Sequence, residues 1–420
     1  MRKSIIICAL IALIGLSCAA NDKGYTATYL SLGFQSAVVY EPTEITEKAG
    51  IAVVVMHAHG DYLGFIANSE LAKRGYTVIA TLPSSNDMIE AKVLNVKACV
   101  EYLRKQDGIR KVILLGHSGG ATAMTAYAYL AEKGRAGLTG KIYQDYSERV
   151  DNLPMVDGLL LLDANPGLGT VVLNSLDPNV TDESKGIGTP EILVESDAKA
   201  YMKAQRNRFS RLVEYAKERL NVIKAGNGLY TDDEPMVIPG SQSGRMFNRL
   251  YSSDLSLLAH TKGEWPLIHA DGSVTKEIVH SVRAPYNAMS GTERLAAAQQ
   301  MTVRSFLSTY AMEVDENYEI LEDGFQGVHF DSNLNSPIGN IKGVTIPSLF
   351  MGMTGSHEYI VSEAIYNNSP ARDKSIAFVE GASHMFSPDK QAEKYNNTSY
   401  GDTLKHLFDY VDQWLSAGRF

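Results

Sequence analysis

Six short apolar runs constrain the fold of this chain more than any other feature. They are Ile51–Met56, Tyr76–Ala80, Lys111–Leu115, Gly158–Leu162, Ile346–Met351 and Ser375–Val379, several of them punctuated by glycine. Runs this short and this continuous suit strands buried on both faces, as in a parallel sheet. Helix-like segments separate the early ones: Ile66–Arg74, which stops at Gly75; Asp87–Gln106, with apolar residues at helical spacing; and Ala121–Lys133, which stops at Gly134. Strands alternating with helices predict an α/β protein with a parallel sheet.

The alternation breaks between about residues 170 and 340. Pro190–Lys224 reads as a polar-faced helix pair and Arg294–Met312 as another helix. Leu267–Val274 reads as a hairpin turning at Asp271-Gly272. The strand pattern then resumes, and Asp402–Ala417 closes the chain as an amphipathic helix. The expected organisation is therefore a leader over 1–20, a core over 21–169 and 341–420, and a mainly helical cap over 170–340.

The leader is a targeting segment. Arg2 and Lys3 precede the apolar run Ile5–Leu16, which is followed by the small residues Ser17-Cys18-Ala19-Ala20. Such a run is too short to span a membrane and matches a secretory signal. Cleavage after Ala20 is one expectation. Lipidation of Cys18, as in a bacterial lipoprotein, is the other, although Gly15 stands where such signals usually carry Leu. The expected location is therefore exported: periplasmic, extracellular or lipid-anchored, with the membrane as partner only through that anchor. Beyond the leader Cys99 is the one cysteine, so stability must come from a packed core rather than an internal disulfide. A net charge of −9 argues against nucleic acid as a partner.

The chemistry-bearing motif lies in residues 111–124, KVILLGHSGGATAM. Gly116-His117-Ser118-Gly119-Gly120 fits G-x-S-x-G between a buried strand and a helix, the setting in which a strained turn lifts a serine hydroxyl above a sheet. A serine needs a base to take its proton. His384 follows the last apolar run, on a loop within Gly381-Ala382-Ser383-His384.

Over about half its length, residues 51–165 and 341–420, the chain resembles the α/β-hydrolase superfamily, with a large cap insertion. The match rests on the Gly116–Gly120 turn, the His57-Ala58-His59-Gly60 loop and the His384 loop. The resemblance implies that Ser118 is a nucleophile and His384 its base. It implies an oxyanion hole from the N–H of Gly119 and one from Ala58 or His59; the family often has His-Gly there, so Ala58 is a departure. It also implies a carboxylate behind His384. Glu358, in Gly355-Ser356-His357-Glu358, stands in the family's commonest place. Asp163, at the end of the Gly158–Leu162 run, stands where some lipase-like members carry it.

Three functional expectations follow. The first is a serine hydrolase that cleaves a small ester or lactone through an acyl-enzyme, with no cofactor. The second is a small-molecule binding protein of the same fold with little turnover. The third is a zinc hydrolase built on His57, His59 and Asp61, since H-x-H-x-D after a strand opens several such sites. Tyr62 stands where a further histidine usually follows, and His57 otherwise reads as a structural residue bonded beneath its loop. In the cap, Tyr201, Phe209, Tyr230, Phe247, Tyr251, Trp265 and Tyr286 are candidate pocket or packing aromatics. Arg206, Arg208 and Arg211 read as a solvated helix face.

Overall fold

The structure, a computed structural model, describes residues 23–185, 197–241, 250–286 and 298–420. The expected leader, Phe247, and the starts of the expected helices at Pro190 and Arg294 lie outside those residues. Among the described residues no helix is long and apolar enough to cross a membrane.

The strands are β1 (Tyr25–Leu32), β2 (Gln35–Pro42), β3 (Ile51–Val55), β4 (Thr77–Thr81), β5 (Lys111–Ser118), β6 (Gly158–Ala164), β7 (Pro235–Pro239), β8 (His260–Ile268), β9 (Val274–His280), β10 (Ala298–Thr302), β11 (Glu313–Leu321), β12 (Gly324–His329), β13 (Ser348–Met353) and β14 (Lys374–Val379). The α-helices are α1 (Ile66–Lys73), α2 (Ile89–Leu103), α3 (Gly120–Lys133), α4 (Leu168–Ser175), α5 (Ala198–Lys224), α6 (Val303–Thr309), α7 (Pro337–Asn340), α8 (Val361–Asn368), α9 (Lys390–Asn396) and α10 (Thr403–Ser416).

Ten strands form one sheet in the order β1-β2-β4-β3-β5-β6-β13-β14-β8-β9. Pairing is parallel from β4 through β8 and antiparallel at both edges. All six apolar runs are strands of the parallel block. Their side chains alternate between two cores, as the twofold pleat requires. In β3, Ala52 and Val54 join the core beneath α2 and α3, while Val53 and Val55 join the one beneath α1 and α10. Leu407, Phe408, Val411, Trp414 and Leu415 supply the α10 side of the second core.

The insertion departs from expectation in four places. The described part of the helix pair is a single helix, α5, capped by Asp197. The expected helix from Arg294 instead contains a strand: Ala298–Thr302 pairs with β7, and a helix starts only at Val303, capped by Thr302. Good helix formers in Ala298-Gln299-Gln300-Met301 are overridden by strand pairing. The Asp271-Gly272 hairpin forms as expected, but it does not stay in a cap. Its β8 strand pairs in parallel with β14 and widens the central sheet. Finally, Arg208 is not solvated. It is fully buried, bonds Glu183 at 2.7–2.8 Å and donates to the carbonyls of Asp177 and Pro239.

Candidate active site

Strand β5 runs into α3 through a turn that only this sequence pattern permits. Ser118 has φ 52°, in the left-handed region that costs a non-glycine residue about 1–3 kcal/mol. The turn is so tight that a Cβ at Gly120 would lie 2.4 Å from the Met56 carbonyl oxygen, and one at Gly116 would lie 2.6 Å from Ala121 Cα. Both glycines are therefore required by close approach rather than by their own dihedrals.

Asp163, at the end of the neighbouring β6, is also left-handed, with φ 47°, and is fully buried. Its Oδ1 accepts from Met353 N–H at 3.0 Å, which ties it to the end of β13. Its Oδ2 lies 2.7 Å from His384 Nδ1. Glu358, also buried, sits on the other side of the same nitrogen at 3.4 Å, and its Oε2 has no hydrogen-bond partner. The structure thus brings both candidate acids to His384 but gives the hydrogen bond to Asp163, although Glu358 holds the family's commoner place.

The two carboxylates shape the titration of the cluster. Burial alone would lower the His384 pKa; the charge of Glu358 and the bond and charge of Asp163 outweigh it and raise it to about 9. Burial pushes the Glu358 carboxyl up to about 7 against the pull of His384, with the Asp163 charge adding to the rise and the Ser118 hydroxyl opposing it. Among the described residues, Ser118 Oγ and His384 form no hydrogen bond; unliganded sites often close this bond only when substrate arrives.

The His384 loop is clamped from below. His117 Nε2 lies 2.8 Å from the His384 carbonyl, which can only accept, so that nitrogen carries the proton. His117 Nδ1 then accepts from the Tyr62 hydroxyl at 2.6 Å. Burial and the nearby His384 charge hold the His117 pKa well below its usual value, consistent with this neutral tautomer. On the far side of the loop, Thr403 donates to the Phe386 carbonyl at 2.6 Å.

The His57–Asp61 loop does not gather metal ligands. His57 Nδ1 accepts from the backbone N–H of His59 at 3.1 Å and of Gly60 at 2.7 Å. His59 Nε2 pairs with Asp87 Oδ1 at 2.7 Å, and Asp61 Oδ1 caps Leu63 N–H. Among the described residues, the one group of three or more potential ligands is Asp163, Glu358 and His384. The expected zinc site is therefore corrected: each member of His57, His59 and Asp61 is turned to a different partner. His57 Nδ1 bonds beneath its own loop, and the residue also lines the cavity at Ser118. The same geometry bears on the oxyanion donors. The His59 N–H is committed to His57, whereas Ala58 and Gly119 are close: a Cβ at Gly119 would be 3.4 Å from Ala58 Cβ and 3.3 Å from His57 Nε2.

Ser118, Gly119, Glu358 and His384 line a cavity of about 280 Å³. Leu168, Val171, Val172 and Met385 give it an apolar wall, and Asn165, Asn174, Gln299 and Tyr310 a polar one. Of the cap aromatics proposed from sequence, Tyr251 lines it. Tyr201 and Phe209 are core, Tyr230 and Tyr286 are exposed, and Trp265 donates to Glu363 at 2.7 Å. Sequence reasoning missed Tyr310, which bonds both His59 and Asp87 on the pocket wall. It also missed His117; its place inside G-x-S-x-G was visible, but nothing local pointed to His384 above it.

No protein-family model and no curated protein matches the chain. Among solved structures it is similar to a hormone-sensitive lipase from a metagenome library (12% identity, 96% of this chain and 88% of that one, TM-score 0.44). It is also similar to a soluble variant of monoglyceride lipase from Saccharomyces cerevisiae (10%, 93% and 95%, 0.43). A third is a proline iminopeptidase from Mycobacterium smegmatis (13%, 93% and 98%, 0.39). Likenesses this distant carry no argument about activity. The sheet order, the strand-to-helix turn at Ser118 and the loop after β14 speak for themselves. The chain has the α/β-hydrolase fold.

Proposed function

We propose that this protein is a serine hydrolase of small carboxylic esters or lactones. The observation that carries the reading is the placement of Ser118 on a strained turn, facing a cavity it shares with a histidine fixed by a buried carboxylate. In this reading Ser118 Oγ attacks the carbonyl carbon and His384 Nε2 takes the hydroxyl proton. Asp163 holds His384 Nδ1–H and stabilises the imidazolium. The N–H groups of Gly119 and Ala58 receive the oxyanion, each contributing about 2.7–4 kcal/mol to lowering the barrier. The tetrahedral intermediate expels the alcohol, which leaves with the proton from His384. Water then attacks the acyl-enzyme with His384 again as base, releasing the acid.

The cavity lies at the small end of ligand pockets, roughly 300–1,000 Å³, so short acyl and alcohol groups fit the proposal best. Export, with cleavage after Ala20 or lipidation of Cys18, remains part of the same proposal and rests on residues 1–20 alone. The test is hydrolysis of short-chain p-nitrophenyl esters by wild type and Ser118→Ala. Turnover that vanishes in a folded Ser118→Ala supports the proposal; turnover that survives the substitution contradicts it.

A further inference from the structure

Beside the Ser118 cavity lies a second one of about 380 Å³, and His357 lines both. Its wall includes Arg283, which is 8% exposed. Arg283 is unlike the other buried arginine, Arg208, whose guanidinium is forked onto Glu183. Arg283 donates from Nη2 to the Leu257 carbonyl at 2.6 Å, and its buried Nε has no partner. No carboxylate forms an ion pair with it among the described residues. Asp389 lines the same cavity, but its Oδ1 caps α9, accepting from the N–H groups of Gln391 and Ala392. A buried guanidinium with no ion-paired carboxylate and an unpartnered Nε is costly, and such groups persist where an anion completes them. Burial draws the Arg283 pKa down and outweighs the opposing pull of Tyr359, Tyr251 and Asp254. Lys390 also lines the cavity, with its ammonium paired to Glu393 at 2.6 Å.

We propose that the Arg283 cavity is a carboxylate subsite, and that the substrate is an ester bearing a free carboxylate which Arg283 holds across His357 from Ser118. The guanidinium fork matches a planar carboxylate. The substrate class rests on the serine-hydrolase reading; the binding of a carboxylate at Arg283 does not.

The experiment has two arms. In the first, glutarate is titrated calorimetrically into wild type, Ser118→Ala and Arg283→Gln. Binding to the first two, weakened at least about tenfold in Arg283→Gln, is expected for a charge-assisted contact. Absence of binding to wild type, or equal binding to Arg283→Gln, overturns the subsite. In the second arm, KM is compared for a glutarate monoester and its neutral isostere. Wild type should favour the anion and Arg283→Gln should lose the preference. Equal preference in both overturns the substrate class even if glutarate binds. If Arg283→Gln does not fold, wild type is titrated with glutarate and with its neutral diamide; equal affinity for the two overturns the subsite. Failure of the serine mechanism is seen separately, as ester turnover that survives Ser118→Ala.

Discussion

Asp163 Oδ2 lies 2.7 Å from His384 Nδ1 and takes its hydrogen bond, while Glu358 stands 3.4 Å from the same nitrogen. Two buried acids flank one imidazole, and their roles separate by geometry. Asp163 is locked between the ends of β6 and β13; Glu358 makes no hydrogen bond at Oε2 and faces the pocket.

Asp163→Asn should therefore lower kcat far more than Glu358→Gln. An amide in place of Asp163 favours the wrong tautomer of His384, a change worth roughly 10⁴-fold in an analogous triad. Glu358→Gln keeps that bond and should cost about tenfold or less. Steady-state kinetics of the two variants decide the order; the reverse order would assign the orienting role to Glu358.

The pH profile should carry the mark of both acids. Catalysis needs neutral His384, and its pKa is raised to about 9, with the Glu358 charge the leading upward cause. The sign follows: negative neighbours hold the proton on, so kcat/KM should rise with pH well into the alkaline range. Glu358→Gln removes one negative neighbour, and the rise should move at least about one unit toward acid. An unmoved limb would mean that Glu358 does not act on His384 electrostatically.

The turn should tolerate no side chain at Gly120. A methyl there meets the Met56 carbonyl oxygen at 2.4 Å, so Gly120→Ala forces β3 and β5 apart. A loss of about 2–3 kcal/mol in urea unfolding is expected. A near-neutral substitution would show that the turn relaxes freely and that strain at Ser118 is not enforced by packing.

Arg208 should matter to stability rather than to chemistry. It ties α5 to the carbonyls of Asp177 and Pro239, and one turn earlier Gln205 ties the same helix to the carbonyls of Asn174 and Leu176 behind the pocket wall. Arg208→Met should lower stability by about 2–4 kcal/mol by orphaning buried acceptors. Denaturant midpoints measure it, and an unchanged midpoint would return Arg208 to the surface role its sequence context suggested.

How much of this was legible beforehand depended on whether the signal was local. The parallel strands were, because residues such as Val53 and Val54 face opposite cores and leave no polar alternation. Ser118 was, because the strand, glycines and helix lie in one stretch. The β1–β2 hairpin was overlooked because its first strand is largely exposed and carries no core run. The sheet's extension by β8 was hidden because pairing with β14 joins Leu267 to Phe378 across more than a hundred residues. Choosing between Asp163 and Glu358 needed the spatial fact that Met353 N–H holds one of them in place. The buried support from His117 and Tyr62 was silent for the same reason: each residue looks ordinary until the fold brings its partner.

The central claim is that Ser118 is an activated nucleophile, and covalent labelling tests it most directly. Intact mass would be measured after wild type, Ser118→Ala and His384→Gln are treated with a fluorophosphonate probe. The account predicts a single adduct on wild type, none on Ser118→Ala, and a much slower adduct on His384→Gln. An adduct that persists in Ser118→Ala, or none on a folded wild type whose pocket admits the probe, would contradict it.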